Sequence, residues 1–292
     1  MEYILAADIG GTKLATALFK VDGTLVVANE IKSEKNDGEK LLQSLIDSFK
    51  DICSNAGIAI ADVIGISVGL PGIIDVEKGI AILQNNLPWR DFPLKDRLAT
   101  EFPNMPIVVD NDVYMATWGE YKAREFTKEM FVYMTLSTGI SSCSIHNSTF
   151  LRGAGMAGEM GFNLTDKPGI TLESLVSGPA MEERGRRVFD NPTLTLKEMM
   201  EGYYQGDEQV LPIINEAVTT LAKAVYHIIV AADPHCIVLG GGVFNHHPKL
   251  VEAVRQEVAS YLTHPLLQGK EQRIEASRYK GEAGIRGAAS RF

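Results

Sequence analysis

The chain has 292 residues, 45% hydrophobic and 22% charged, with 28 Lys and Arg against 37 Asp and Glu, a net charge of −9. That balance excludes a disordered chain and gives enough length for two domains, each with its own core. The acidic excess argues against a nucleic-acid surface, because such surfaces neutralise phosphates with Lys and Arg.

Alternating apolar residues predict strands over residues 3–9, 14–19 and 24–31. The first two are joined by Asp8-Ile9-Gly10-Gly11-Thr12-Lys13. Two residues suffice to close a hairpin, whereas this joint holds an acid, two glycines, a hydroxyl and an ammonium. Glycines let backbone N–H groups come close to phosphate oxygens. Thr12 and Lys13 can contact phosphate, and Asp8 can hold magnesium directly or through water. Neither P-loop nor dinucleotide-fingerprint spacing is present, and a plain strained hairpin accounts for the loop equally well.

Next, Leu41, Leu42, Leu45, Ile46, Phe49 and Ile52 recur at helical spacing, and residues 63–68 return to strand before Pro71-Gly72. The stretch "PIVVDND" reads as a buried strand ending on Asp110-Asn111-Asp112, with a helix over about residues 113–124. A carboxylate at a helix N-terminus is held as the anion, so Asp112 suits the base that phosphoryl transfer to a hydroxyl needs. Asn85, Asn86 and Asn111 offer the paired donors and acceptors that sugar hydroxyls require. Helix capping by Asp110 or Asn111 explains the cluster without any ligand.

The second half repeats the theme. "MFVYMTLSTGISSCSI" predicts two strands joined by Ser137-Thr138-Gly139. Glu159 follows in a Gly/Ala-rich turn and Glu173 near a helix start, where an acid is favourable in any case. The pair suits metal ligation, acid–base work or hydroxyl binding. Without His or Cys beside it, a transition-metal site is poor chemistry. Helices are predicted around residues 178–187 and 208–232, the latter with one broad apolar face. "HCIVLGGGVF" then runs a strand into Gly240-Gly241-Gly242, where bare backbone can take a flat ligand such as adenine or simply turn. No period of 20–50 residues appears; the chain instead doubles a strand, Gly-containing turn, strand unit. Cys53, Cys143 and Cys236 lack metal-finger spacing and imply free thiols in a reducing compartment. No signal-peptide pattern and no apolar run approaching about 20 residues is found, so a cytoplasmic protein without a membrane partner is expected.

The order of "DIGGTK", "GLPG", "NLPW", "DND", "STG", "AGEMGF", "ESLVSG", "LGGGVF" and "GEAGIRGAASRF" resembles the ROK sugar kinases and repressors, within the actin/hexokinase class of ATP-binding folds. The resemblance spans nearly the whole chain. It implies an α/β fold of two actin-like (ribonuclease H-like) domains with an ATP and sugar cleft between them. One domain would cover residues 1–112, completed by a last helix over about 281–292; the other would cover residues 113–280. It also implies Asp112 as catalytic base and sugar ligand, with Asn86, Asn111, Glu159 and Glu173 as further hydroxyl ligands and Gly72 lining the sugar site. Gly10, Gly11, Thr12 and Lys13 become the first phosphate loop, and Thr138 and Gly139 the second. Gly241 and Gly242 would meet the adenosine, and Asp8 the magnesium. A homodimer is implied as well.

Two departures from the family pattern matter. The family follows its Gly-Glu-x-Gly with His and then a cysteine-rich zinc segment; here Phe162 takes the His position, and "NLTDKPGIT" replaces the cysteines, so no zinc site is expected. The second phosphate loop, "STGISSCS", is also poorer in glycine. The expected activity is ATP- and magnesium-dependent phosphorylation of a sugar primary hydroxyl, the 6-hydroxyl of a hexose or β-glucoside, with glucokinase and N-acetylmannosamine kinase as alternatives. A non-catalytic, sugar-responsive regulator is the reading from a different class. Only Met1 and Glu2 precede the first strand, where the repressors carry a helix-turn-helix, and retention of Asp8, Asn111, Asp112, Glu159 and Glu173 together favours an enzyme.

Overall fold

The structure, a computed structural model, describes residues 2–84 and 86–292; Asn85, singled out above, lies outside the described residues. The chain divides into two units, Met1–Glu125 with Glu282–Phe292, and Phe126–Gly281.

In the first unit, β1 (Tyr3–Ile9), β2 (Lys13–Lys20) and β3 (Leu25–Lys32) form an antiparallel meander, with Ile9 opposite Leu14 at the first turn. Helix α1 (Gly38–Ala56) starts where the Asp37 carboxylate accepts the N–H groups of Glu39 and Lys40, and stops at Gly57 in the left-handed region. Its apolar face, including Leu41, Leu45 and Phe49, is buried in the core of the sheet. β4 (Val63–Leu70) then pairs parallel to β1. A small antiparallel sheet follows, of β5 (Ile73–Asp75), β6 (Ile80–Leu83) and β7 (Arg90–Phe92). After α2 (Leu94–Glu101), β8 (Ile107–Asn111) pairs parallel to β4 and runs directly into α3 (Asp112–Lys122). The main sheet has the order β3-β2-β1-β4-β8.

The second unit rebuilds that sheet. β9 (Phe131–Leu136), β10 (Ile140–His146) and β11 (Thr149–Phe150) form the meander. The helices α4 (Leu172–Val176), α5 (Gly178–Phe189), α6 (Leu196–Gln205) and α7 (Leu211–Ala232) precede β12 (Cys236–Gly240), which pairs parallel to β9. After α8 (Gly241–His246) and α9 (Pro248–Tyr261), β13 (Ile274–Ala276) pairs parallel to β12. The order β11-β10-β9-β12-β13 matches the first sheet strand for strand and direction for direction, so the doubling seen in the sequence is a doubling of topology.

Two points differ from the sequence expectations. The first unit runs on to Glu125 rather than ending at Asp112, because α3 packs against α10 (Ala283–Ala289) through small residues. A Cβ on Gly119 would lie 2.7 Å from the Ala283 carbonyl and 2.9 Å from the Gly287 nitrogen, so the two backbones meet almost directly. Second, α7 is long and apolar enough, by length and composition, to cross a membrane. Half of that span is buried in the second unit's core, where Ile214, Leu221 and Val225 pack. Its polar positions face elsewhere: Glu216 pairs with Lys167 and Arg184, and Lys223 with Asp166. This is the signature of a core helix.

Candidate active site

In the first unit the predicted residues gather at the ends of β1, β4 and β8. The Gly10 N–H donates to the Lys13 carbonyl across 2.9 Å, and the Ser33 hydroxyl donates to the Gly10 carbonyl across 2.6 Å. Ser33 N–H also reaches the Thr12 carbonyl at 3.1 Å, so the end of β3 fastens the loop from outside. Gly11 marks a close approach: a Cβ there would lie 2.7 Å from Asn86 Cβ. The Gly10–Lys13 loop and Asn86 are therefore neighbours. Lys13 points elsewhere, its ammonium 2.7 Å from Glu30 in a pair exposed on both sides.

Asp8, at the end of β1, is partly buried, and among the described residues no hydrogen-bond donor reaches its carboxyl. A Cβ on Gly284 would lie 2.6 Å from Asp8 Oδ2. Burial and then the negative charge of Asp112 push the Asp8 pKa up to about 7, with Lys13 pulling it back. Two carboxylates sharing one corner, one without a donor, are a donor set that a hard divalent cation suits.

At the β8–α3 junction, Asn111 is the helix cap. Its Oδ1 accepts from Val113 N–H at 2.9 Å and caps α3, while its Nδ2 donates to the Gly72 carbonyl at 3.1 Å. One amide hydrogen remains for a ligand. Gly72 sits at φ 88°, where its Cα approaches the Leu83 and Gln84 backbone too closely for a side chain. Asp112 follows as the first residue of the helix, Oδ1 accepting from Val113 N–H at 2.9 Å. Asp110 is neither cap nor ligand. It is fully buried, and its carboxylate bridges Asn111 N–H at 2.8 Å and Arg291 Nη1 at 3.0 Å.

In the second unit, Glu159 immediately precedes a 3-10 turn (Met160–Phe162), and Glu173 lies in the first turn of α4. The Gly158 carbonyl accepts from Ser142 N–H at 2.8 Å and Met160 N–H at 2.7 Å, which pins the Glu159 turn to β10. Glu173 Oε2 accepts from Ile140 N–H at 3.1 Å, and a Cβ on Gly139 would lie 2.5 Å from that oxygen. Burial, then the charge of Glu173, raises the Glu159 pKa, so the two acids are electrostatic neighbours. Between them, Leu164 bridges Thr171 in a small hairpin. Phe162 is 69% exposed at the end of the 3-10 turn.

Behind Gly139, the Ser137-Thr138 turn opens into a cavity of about 620 Å³. Gly178, Met200, Tyr204 and Gly242 are among its lining residues, and its floor includes Leu196 and Val243. Gly241 stands against Thr135 and Leu136, and Gly242 faces Ser137 Oγ. Thr138 and Gly242 thus line the cavity, whereas Gly139 belongs to the carboxylate side. The helix α6 wall, with Met200 and Tyr204, was not singled out in the sequence. Its apolar periodicity signals a core-facing helix, and nothing local marks the edge that lines a cavity.

Two five-stranded sheets of one topology, each with a Gly-containing turn between its first two strands, define the actin-like α/β fold. The chain belongs to the ROK family, whose model matches residues 4–292, and within it to the ATP-dependent sugar kinases. It is 30% identical to a glucokinase of Halalkalibacterium halodurans, over 98% of this chain and 93% of that one. It is 29% identical to an N-acetylmannosamine kinase of Shigella flexneri, over 98% and 97%. Among solved structures, a ROK hexokinase from Thermus thermophilus superposes with a TM-score of 0.83 at 27% identity, covering 99% of this chain and 97% of that one.

Proposed function

We propose that the chain transfers the γ-phosphoryl group of ATP to a sugar primary hydroxyl, the 6-hydroxyl of a hexose or of a β-glucoside. The observation that supports this most is the β8–α3 junction. There Asn111 caps the helix and holds the Gly72 carbonyl, and the Asp112 carboxylate stands at the helix N-terminus. In this reading the sugar oxygen attacks the γ-phosphorus, the bond to the ADP oxygen breaks, and Asp112 takes the hydroxyl proton. Asn86, Asn111, Glu159 and Glu173 hold the remaining hydroxyls, with Gly72 lining their site. Gly10, Gly11 and Thr12 take phosphate oxygens on one side, Thr138 and Gly139 on the other, and Gly241 and Gly242 take the adenosine. Lys13 joins them by leaving Glu30, an exposed pair of a kind worth only about 0–1 kcal/mol.

Asp8 would hold Mg²⁺, directly or through water, and the cation would neutralise phosphate charge. No zinc is needed, since the segment between Phe162 and Glu173 holds neither thiol nor imidazole. A cytoplasmic homodimer completes the reading; sedimentation of the purified chain and cell fractionation test those two points.

The exposed ring of Phe162, three residues after Glu159, supports a substituted sugar. Phenylalanine cannot hydrogen-bond a free anomeric hydroxyl, but its face suits the apolar side of a second ring or an aglycone. Relatives that are a glucokinase and an N-acetylmannosamine kinase keep both of those sugars in the comparison. The test is kcat/KM for glucose, N-acetylmannosamine and cellobiose, in the wild type and Phe162→His. The expected result is a preference for the substituted sugars that shifts toward glucose in the variant. A preference for free glucose that the variant leaves unchanged contradicts the substituted-sugar reading.

A further inference from the structure

We propose that Arg291 is a positioning residue for phosphoryl transfer: through the buried Asp110 carboxylate it fixes the backbone from which Asn111 and Asp112 project. The proposal rests on the reading of Asp112 as the base. Asp110 is fully buried at the end of β8, and its two oxygens do different work. Oδ1 accepts from Asn111 N–H at 2.8 Å; Oδ2 accepts from Arg291 Nη1 at 3.0 Å. The same guanidinium lies 5.8 Å from the Trp118 ring centroid, and the Trp118 indole N–H donates to the Ser290 carbonyl at 2.8 Å. Arg291 is therefore clamped to α3 at one end and to the catalytic turn at the other.

A buried carboxylate is costly unless charge and hydrogen bonds compensate it. Apolar residues would fill this position in β8 at lower cost, so an ion pair one residue from Asn111 calls for another role. The role the geometry supplies is orientation. Asp110 holds the Asn111 amide, the Asn111 side chain holds both Gly72 and the first turn of α3, and Asp112 is the next residue along. Losing the Arg291 end frees Asp110 to turn away, and the shift passes through Asn111 to the base.

The experiment compares Arg291→Lys, Arg291→Gln and the double variant Asp110→Asn/Arg291→Gln with the wild type and Asp112→Asn, all checked by circular dichroism. The double variant leaves neither charge of the pair buried without its partner, so it separates loss of the pair from the cost of an unpaired charge. Arg291→Lys keeps the charge but not the fork geometry. The expected result for the double variant is a loss of about 10- to 100-fold in kcat, with the KM for ATP within about twofold of the wild type and any rise in the sugar KM smaller than the loss in kcat. Arg291→Lys is expected to retain more kcat than either Gln-containing variant. A folded double variant with kcat near the wild-type value overturns the proposal, as does a change confined to KM or to thermal stability. An unaltered kcat in Asp112→Asn would instead remove the base reading on which the proposal stands.

Discussion

At the scale of single residues, Asp8 is the most unusual group in the molecule. Its folded pKa of about 7 lies above the ordinary value of 3.8, through burial and the nearby Asp112 charge. Between those two values the folded state binds more protons than the unfolded one, so this residue's contribution to stability falls as pH rises through that window. Asp8→Asn is therefore expected to raise the melting temperature at pH 8, with the gain shrinking as pH falls below about 7 and gone below about 4. A melting difference that is flat with pH would show that the carboxyl titrates normally. Excess Mg²⁺ should also narrow the gap at pH 8 by offsetting the wild-type charge. Gly11 gives a second test. Because a Cβ there meets Asn86, Gly11→Val should weaken sugar as well as ATP, each measured by calorimetry. Loss of ATP alone would mean that Asn86 does not serve the sugar.

At the scale of elements, the α3–α10 contact carries the heaviest constraint. Gly287 lies so close to the Met115 carbonyl that no side chain fits, and Gly119 faces it from the other helix. Gly287→Val should cost at least about 1–3 kcal/mol by overpacking and lower kcat along with stability, since α3 begins with Asp112. Denaturant unfolding reads the first effect, and full activity in a destabilised variant would separate the helix contact from the site. Much of this level was legible in the sequence. Strands of six to eight residues, such as β1, β2 and β4, show their alternation or burial directly, and the glycine-bearing turns announce themselves by composition. The three-residue strands β5 and β7 are too short to show a period. The pairing of Asp110 with Arg291 joins positions 181 apart, which no local pattern encodes. Asn111 shows the opposite limit, since cap and ligand chemistry use the same side chain and sequence alone leaves both open.

At the scale of the whole molecule, the chain builds one sheet topology twice, and the residues of the proposed reaction divide between the two copies. The first unit supplies Asp8, the Gly10–Lys13 loop and the Asn111–Asp112 junction; the second supplies Glu159, Glu173 and the cavity behind the Ser137-Thr138 turn. Among the described residues, Gln84 Oε1 is buried without a hydrogen-bond partner beside Gly72, while its Nε2 already donates to the Ile73 carbonyl at 3.3 Å. An acceptor left in that state costs about 1–3 kcal/mol, and it lies beside the Gly72 turn. The central claim is that Asp112 is the base of an ATP-dependent sugar kinase. The measurement that tests it most directly is sugar-dependent release of ADP from ATP and Mg²⁺, over glucose, N-acetylmannosamine and cellobiose, for the wild type beside folded Asp112→Asn. The account predicts turnover on at least one of these sugars, lowered about 10²- to 10⁴-fold by the substitution while sugar affinity changes far less. Equal turnover in the two proteins, or ADP release that no sugar stimulates in the wild type, would contradict it.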